Sequence, residues 1–247
     1  MHNNKSEMEI LDHLEDLRKK LIICVIFMFI LSIVSYVKSD EIIDFLKQPL
    51  GNIELVFITP TEGFMTKIKV ACFGGLVLSS PVIFTQTILF VSPGLYKKEK
   101  ILLYSCLPFI IGLFLGGIYF CSKFILPITL NFLMSFGGAF ISPMISVNKY
   151  FSFVIMITLG LGIVFELPMV MLLLSRIGIV SYEMLSKKRK YAMFIIVVIA
   201  AIITPTPDMI TLLAVSIPLI ILYELSLGLI LIFDKMLGKG SSIYDEA

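Results

Sequence analysis

Residues 150–175 read YFSFVIMITLGLGIVFELPMVMLLLS, 26 positions with one charged side chain, Glu166. At about 1.5 Å of rise per residue, a helix of this length crosses a hydrocarbon core of about 30 Å with room for tilt. Its polarity does not alternate every second residue, as a membrane-barrel strand would require. The stretch reads as a membrane-spanning helix, and it has counterparts. Leu21–Val37, Val70–Val91 and Ile101–Ser122 are apolar runs of 17 to 22 residues without a charge. Tyr191–Ile203 and Met209–Phe233 complete six candidates, the last interrupted by Glu224. Across all 247 residues, 58% are apolar and 15% charged, with mean hydropathy +1.00. Soluble domains run at about 45–50% and about 25%. The expected class is an all-α integral membrane protein, and an ordinary soluble enzyme is excluded.

Orientation follows from the basic side chains. Hydrophilic segments counted odd from the N-terminus hold 14 Lys and Arg, among them Arg18-Lys19-Lys20, Lys97-Lys98 and Lys187-Lys188-Arg189-Lys190. The even segments hold 6. Basic residues mark the cytoplasmic side, so both termini are expected inside a bacterial cytoplasmic (inner) membrane. The first span is expected to be a retained anchor: it lacks a small-residue cleavage site, and Glu7–Asp16 is too acidic for a signal-peptide flank. Residues 1–237 form one expected six-helix domain, with 238–247 as a flexible cytoplasmic tail.

The last two spans are unusual. Tyr191–Ile203 has 13 residues, and Thr204-Pro205-Thr206-Pro207-Asp208 cannot extend it, because proline lacks a donor and displaces its predecessor from helical geometry. The sixth span offers only Met209–Tyr223 before Glu224. A short fifth and sixth helix either pack against longer neighbours or make a thin wall in the bilayer. Among the outer segments, Ile128–Phe136 is apolar enough to lie along the interface. Gly112-x-x-x-Gly116 with Gly117 is expected to give the third helix a small face for close packing. Cys24, Cys72, Cys106 and Cys121 sit inside spans without C-x-x-C spacing and read as buried free thiols. His2 and His13 cannot build H-E-x-x-H, and neither a nucleophile elbow nor a phosphate loop is present. No enzyme activity, metal or cofactor is expected.

In so uncharged a chain the carboxylates carry the information. Glu166 lies deep in the fourth span, where a charged side chain costs at least about 2.5–3.5 kcal/mol on insertion scales. It must be neutral and hydrogen-bonded, paired, or facing a wet cavity, and Pro168 weakens the helix beside it. Glu99 and Asp16, with Glu15 next to Asp16, lie on the cytoplasmic side among lysines and arginines. Alone, each is a solvated charge in a local pair. Together at one interface, two carboxylates suit a cationic ligand, above all the guanidinium fork.

In order along the chain stand His13-Leu14-Glu15-Asp16-Leu17-Arg18, Pro49-Leu50, Ser79-Ser80-Pro81 and Phe90-Val91-Ser92-Pro93-Gly94-Leu95-Tyr96-Lys97-Lys98-Glu99. Phe151-Ser152-Phe153, Gly162-Ile163-Val164-Phe165-Glu166-Leu167-Pro168, Lys187-Lys188-Arg189-Lys190-Tyr191, Thr204-Pro205 and Asp208 follow. Over nearly its whole length the chain resembles the TatC family, the core subunit of the twin-arginine protein translocase.

That resemblance implies six helices with both termini cytoplasmic, a concave, glove-like arrangement with short fifth and sixth helices, and recognition of twin-arginine signal peptides for export of folded proteins driven by the proton-motive force. It implies that Glu99 is the recognition glutamate and that Asp16 stands at the second acidic position, where the family motif carries glutamate and Glu15 could substitute. Phe90 matches the aromatic beside the peptide site, and Glu166 the intramembrane glutamate. Pro49, Thr204, Asp208 and Thr211 match structural or partner-contact positions. Implied partners are single-span subunits of the TatA and TatB type near the fifth and sixth helices, and further copies of the chain. Where relatives carry a polar residue in the sixth helix, this chain has Leu212. The competing reading from the residues is a proton-coupled secondary transporter with Glu166 as relay.

Overall fold

The computed structural model describes residues 3–51, 53–92, 97–135, 144–204 and 208–236; side chains are described from residue 13 onward, except at 97–99, 102, 103, 235 and 236. The expected tail at 238–247 and the segment Pro205–Pro207 lie outside the described residues. The elements are α1 (Asn3–Val37), α2 (Ser39–Lys47), β1 (Leu55–Val56), α3 (Glu62–Val91), α4 (Lys97–Phe120), a π turn (Cys121–Ile125), α5 (Leu126–Ser135), β2 (Ile145–Ser146), α6 (Val147–Val164), α7 (Leu167–Arg176), α8 (Tyr182–Lys187), α9 (Arg189–Ile203) and α10 (Met209–Met236). Five helical stretches are long and apolar enough to cross a membrane: His13–Val37, Glu62–Val91, Tyr104–Ser135, Val147–Arg176 and Met209–Asp234. Helix α9, the expected fifth span, has 15 residues, about 22 Å of helix. It stops at Thr204, whose backbone is extended (φ −79°, ψ 118°), as the residue before a proline must be.

The contacts divide the chain into two compact units. In the first, α1 lies along α3. The backbones meet at Gly74 and Gly75: a Cβ on Gly75 would fall 2.1 Å from Ser32 Oγ and 2.7 Å from its Cα. Small residues permit this approach, which gains dispersion contacts that apolar transfer alone does not supply inside lipid. The other face of α1 carries exposed Leu21, Phe29, Ile33 and Val37. Helix α2 is tied to α3 by Asp40 and Lys67 at 2.9 Å. Beside them a two-residue parallel pairing joins Leu55 to Ile145 and Val56 to Ser146, the one non-helical ladder among the described residues. Buried Glu62 accepts from Ser146 Oγ at 3.1 Å, Lys69 Nζ donates to Asn148 and Ser152 at 2.6 and 2.7 Å, and Tyr150 donates to the Leu46 carbonyl at 2.9 Å.

The second unit is arranged on α10, which packs on α5, α7, α8 and α9. Four sequence expectations change here and in the first unit. Helix α10 is not short: it runs 28 residues without a break at Glu224, whose carboxylate pairs with Arg189 at 3.2 Å. Ile128–Ser135 does not lie apart along an interface but continues the third span as α5, with Leu126, Thr129 and Leu130 buried. Pro127 cannot donate to the Lys123 carbonyl, and the backbone ahead of it widens to a π turn in which Leu126 N–H reaches the Cys121 carbonyl. Gly112 and Gly116 have nothing within 4 Å, whereas Gly117 faces Phe165 and Gly162. The close-packing glycine of α4 is therefore Gly117, one residue round from the spacing motif. Cys106 and Cys121 are buried free thiols, but Cys72 is exposed and Cys24 half-buried.

Candidate functional site

Near its N-terminal end, α1 carries His13, Asp16 and Lys20 at spacings of three and four, which place them on one helical face. That face meets the end of α3. The His13 ring stacks on Phe90 with centroids 4.4 Å apart and planes 19° from parallel. Lys20 Nζ donates to Asp16 Oδ2 at 2.5 Å and to the Leu89 carbonyl at 2.9 Å, and lies 5.7 Å from the Phe90 ring centroid. The Lys20 side chain is 16% exposed while that of Asp16 is 41% exposed, so the carboxylate is the open member of the pair. Helix α3 ends here, and the Ser92 hydroxyl donates to the Leu89 carbonyl at 3.1 Å.

Glu15 points elsewhere: it pairs with Lys19 at 2.9 Å, both side chains well exposed. Glu99 falls in the first turn of α4, and its side chain lies outside the described residues. Among the expected signal-binding residues, Asp16 and Phe90 are thus brought together, with Glu15 turned away from them. His13 and Lys20 complete the corner. Neither was expected to take part, although the three- and four-residue spacing from Asp16 was the available signal.

What can this corner do? It combines an open carboxylate, an aromatic face and a main-chain carbonyl at one helix end. The two oxygen acceptors and the ring already hold one cation, the Lys20 ammonium. A guanidinium would find the same partners with more donors in a fixed plane. The pairing of Asp16 and Lys20 joins two residues of one helix and leaves the carboxylate open on its exposed side.

Glu166 sits in the second unit where α6 breaks into α7. Its backbone is at φ −73°, ψ −7°, and Pro168 occupies the first turn of α7. The Glu166 carbonyl accepts from the Met169 and Val170 N–H groups at 3.0 and 2.9 Å. The residue is 7% exposed, and its Oε1 has no hydrogen-bond partner among the described residues. Around it, Phe165 packs on Phe120 with centroids 5.5 Å apart, and Gly162 lies against Phe114 and Ile118. No cation pairs with it among the described residues. Of the states left open for it by the sequence, pairing with a described cation is the one not seen, and the adjacent Phe165 and Gly162 pack against aromatic and aliphatic side chains.

The remaining residues have local roles. Pro49 lies in the 3-10 turn Gln48–Leu50, which seats buried Leu50. Thr204 is buried and donates to the Ala200 carbonyl at 3.0 Å, closing α9. Asp208 Oδ2 accepts from Thr211 N–H at 2.7 Å and so caps the first turn of α10. Thr211 is fully buried, and its hydroxyl has no partner among the described residues.

The chain was compared with known proteins. The family model described as Sec-independent protein translocase protein (TatC) matches residues 12–218. The TatC protein of Carboxydothermus hydrogenoformans is 44% identical over 89% of this chain and 91% of its own length, and that of Koribacter versatilis 38% identical over 90% and 84%. A crystal structure described as the twin arginine translocase receptor TatC superposes with TM-score 0.78 at 35% identity, covering 89% of this chain and 98% of that one.

Proposed function

The chain belongs to the TatC family and is a core component of the twin-arginine translocase, and from that premise we propose that the α1–α3 corner is where it receives the arginines of a signal peptide. As a member it is a multi-pass membrane transport subunit and not an enzyme. The rival reading as a small-solute transporter gains no support from these relatives.

One observation carries the proposal: Asp16, the Leu89 carbonyl and Phe90 already gather around a cation, Lys20. A signal arginine exchanges with that ammonium. Its fork satisfies both Asp16 oxygens, and its plane stacks on an aromatic face, neither of which an ammonium does as well. The exchange leaves Lys20 free to turn to water, so binding costs little unpaired charge. Asp16 rather than Glu15 is the second acidic partner, because Glu15 lies round the helix from Phe90, and Glu99 at the start of α4 takes the other arginine.

The same proposal has both termini cytoplasmic, six spans in which α9 forms a thin wall, and export driven by the proton-motive force. Glu166 supplies a carboxyl inside the bilayer for the transport step. Single-span subunits of the TatA and TatB type dock on α9 and α10, where Thr204, Asp208 and Thr211 hold the ends of the two helices in place, and copies of the chain associate within the complex.

The test is capture of a twin-arginine peptide and of its twin-lysine version by the chain in detergent, beside Asp16→Asn, Glu15→Gln and Glu99→Gln. The expected result is loss of capture for the twin-lysine peptide and for the Asp16 and Glu99 variants, with Glu15→Gln unchanged. Undiminished capture by Asp16→Asn and Glu99→Gln overturns it.

A further inference from the structure

A cavity of about 250 Å³ lies within the second unit among α7, α8, α9 and α10. Its floor is Ile196 and Tyr223, 3% and 1% exposed, with Leu167 and Met171 as a wall. The Tyr223 hydroxyl is spent on the Leu185 carbonyl at 2.9 Å, so the tyrosine offers the cavity its ring. The interior is therefore apolar, and water gains nothing by filling it.

The mouth is different. Lys188, Tyr191 and Ile195 line it and are exposed, and Lys188 begins the turn into α9 within the run Lys187-Lys188-Arg189-Lys190. Two of these four cations are satisfied: Lys187 by Glu183 at 3.7 Å and Arg189 by Glu224 at 3.2 Å. Lys188 and Lys190 have no acidic partner among the described residues. An apolar cavity thus opens at the end of a span, with the uncompensated Lys188 and a tyrosine at its mouth and Lys190 two residues further along the basic run.

We propose that this cavity is a binding site for one anionic phospholipid, an acyl chain entering against Ile196 and Tyr223 and the phosphate resting at Lys188, with Lys190 adding to the positive potential around the mouth. Charge selects this occupant. A zwitterionic lipid fills the cavity but leaves both cations uncompensated. A twin-arginine signal brings its own positive charges next to its apolar segment and meets repulsion at the mouth. Basic pockets between spanning helices are suited to anionic headgroups for the same reason. The bound chain would also shore up α9, which is too short to cross the core alone. The proposal does not depend on the signal-binding reading of the α1–α3 corner.

The chain contains no Trp, so Tyr191→Trp creates a single fluorescent reporter at the mouth. The protein is reconstituted in phosphatidylcholine vesicles doped either with phosphatidylglycerol brominated in its acyl chains or with equally brominated phosphatidylcholine. Each lysine near a headgroup contributes roughly fivefold in local enrichment. Brominated phosphatidylglycerol is therefore expected to be enriched at least about fivefold at the reporter. A Phe29→Trp reporter on the exposed face of α1 should show the two lipids alike, and adding Lys188→Gln and Lys190→Gln to Tyr191→Trp should abolish the difference. Native mass spectrometry of the chain with its tyrosine intact supplies the second measurement: retained phosphatidylglycerol over phosphatidylcholine, lost in the double lysine variant. Equal quenching by both lipids at Tyr191→Trp overturns the proposal. So does a preference that survives removal of both lysines, or displacement of either lipid alike by a signal peptide.

Discussion

Asp16 and Glu166 are both carboxylates on helices of a chain with little charge, and their surroundings are opposite. Asp16 is 41% exposed and holds the Lys20 ammonium at 2.5 Å. Glu166 is 7% exposed, and its Oε1 has no partner among the described residues. An ionised carboxylate at a wet helix end exchanges one cation for another at small cost, because water and the incoming charge replace what is lost. A buried carboxyl has no such exchange; carrying charge there requires a proton, a partner or water to arrive. The first arrangement suits recognition of a cation, and the second suits a group whose state changes with local hydration.

The largest expected effect breaks the buried side of this comparison. Glu166→Lys places a buried, unpaired ammonium in the second unit and should cost about 3–5 kcal/mol, comparable to stranding one partner of a buried ion pair. It is read as a marked fall in the thermal unfolding temperature in detergent. Glu166→Gln keeps shape and removes only the ionisable proton, so its unfolding temperature should stay close to the parent's. Equal tolerance of both would mean the site is wet.

Next in size is Asp16→Asn. It removes a charge-assisted contact of about 1.5–3 kcal/mol, so affinity for a twin-arginine peptide should fall ten- to a hundredfold while the thermal unfolding profile stays unchanged. Isothermal titration beside thermal scans separates the two readouts, and the reverse pattern would make Asp16 a structural residue. The smallest effect is Lys20→Gln. Releasing Asp16 from a pair worth less than about 1 kcal/mol should tighten peptide binding by at most about fivefold. A loss of affinity instead would show that Lys20 positions the carboxylate rather than competing for it. Peptide binding should also weaken with added salt, as exposed charges are screened over about 10 Å at 0.1 M.

Much of this was legible beforehand, and for identifiable reasons. Val70–Val91 and Tyr150–Ser175 announce spans by length and hydropathy, properties that belong to the residues themselves. The break before Leu167 and the end of α9 at Thr204 follow from proline, which acts on its immediate neighbours. The grouping of Asp16 with His13 and Lys20 was present in their spacing. What spacing could not supply is which helix that face would meet, and so the stacking of His13 on Phe90 was missed. The glycine motif in α4 misled because Gly112 and Gly116 mark a surface able to pack closely without saying that anything does. Gly74 and Gly75, in no conspicuous motif, are where α1 and α3 touch. Glu224 looked like the end of a span because Arg189, 35 positions earlier in the chain, was not yet its partner.

The sequence by itself determined that this is a helical membrane protein, where most of its long apolar helices lie, that α9 is short, and which carboxylates stand out. Those features rest on local physics: the length of an apolar run, the missing donor of proline and the cost of charge in lipid. Only the tertiary structure decided that α10 continues past Glu224, that α5 prolongs the third span, that Lys20 occupies Asp16, and that Glu166 stands without a cation among the described residues. Each of these depends on a side chain distant in sequence or a turn away on the helix supplying or withholding a charge, a ring or a small surface, and hydropathy does not encode that supply.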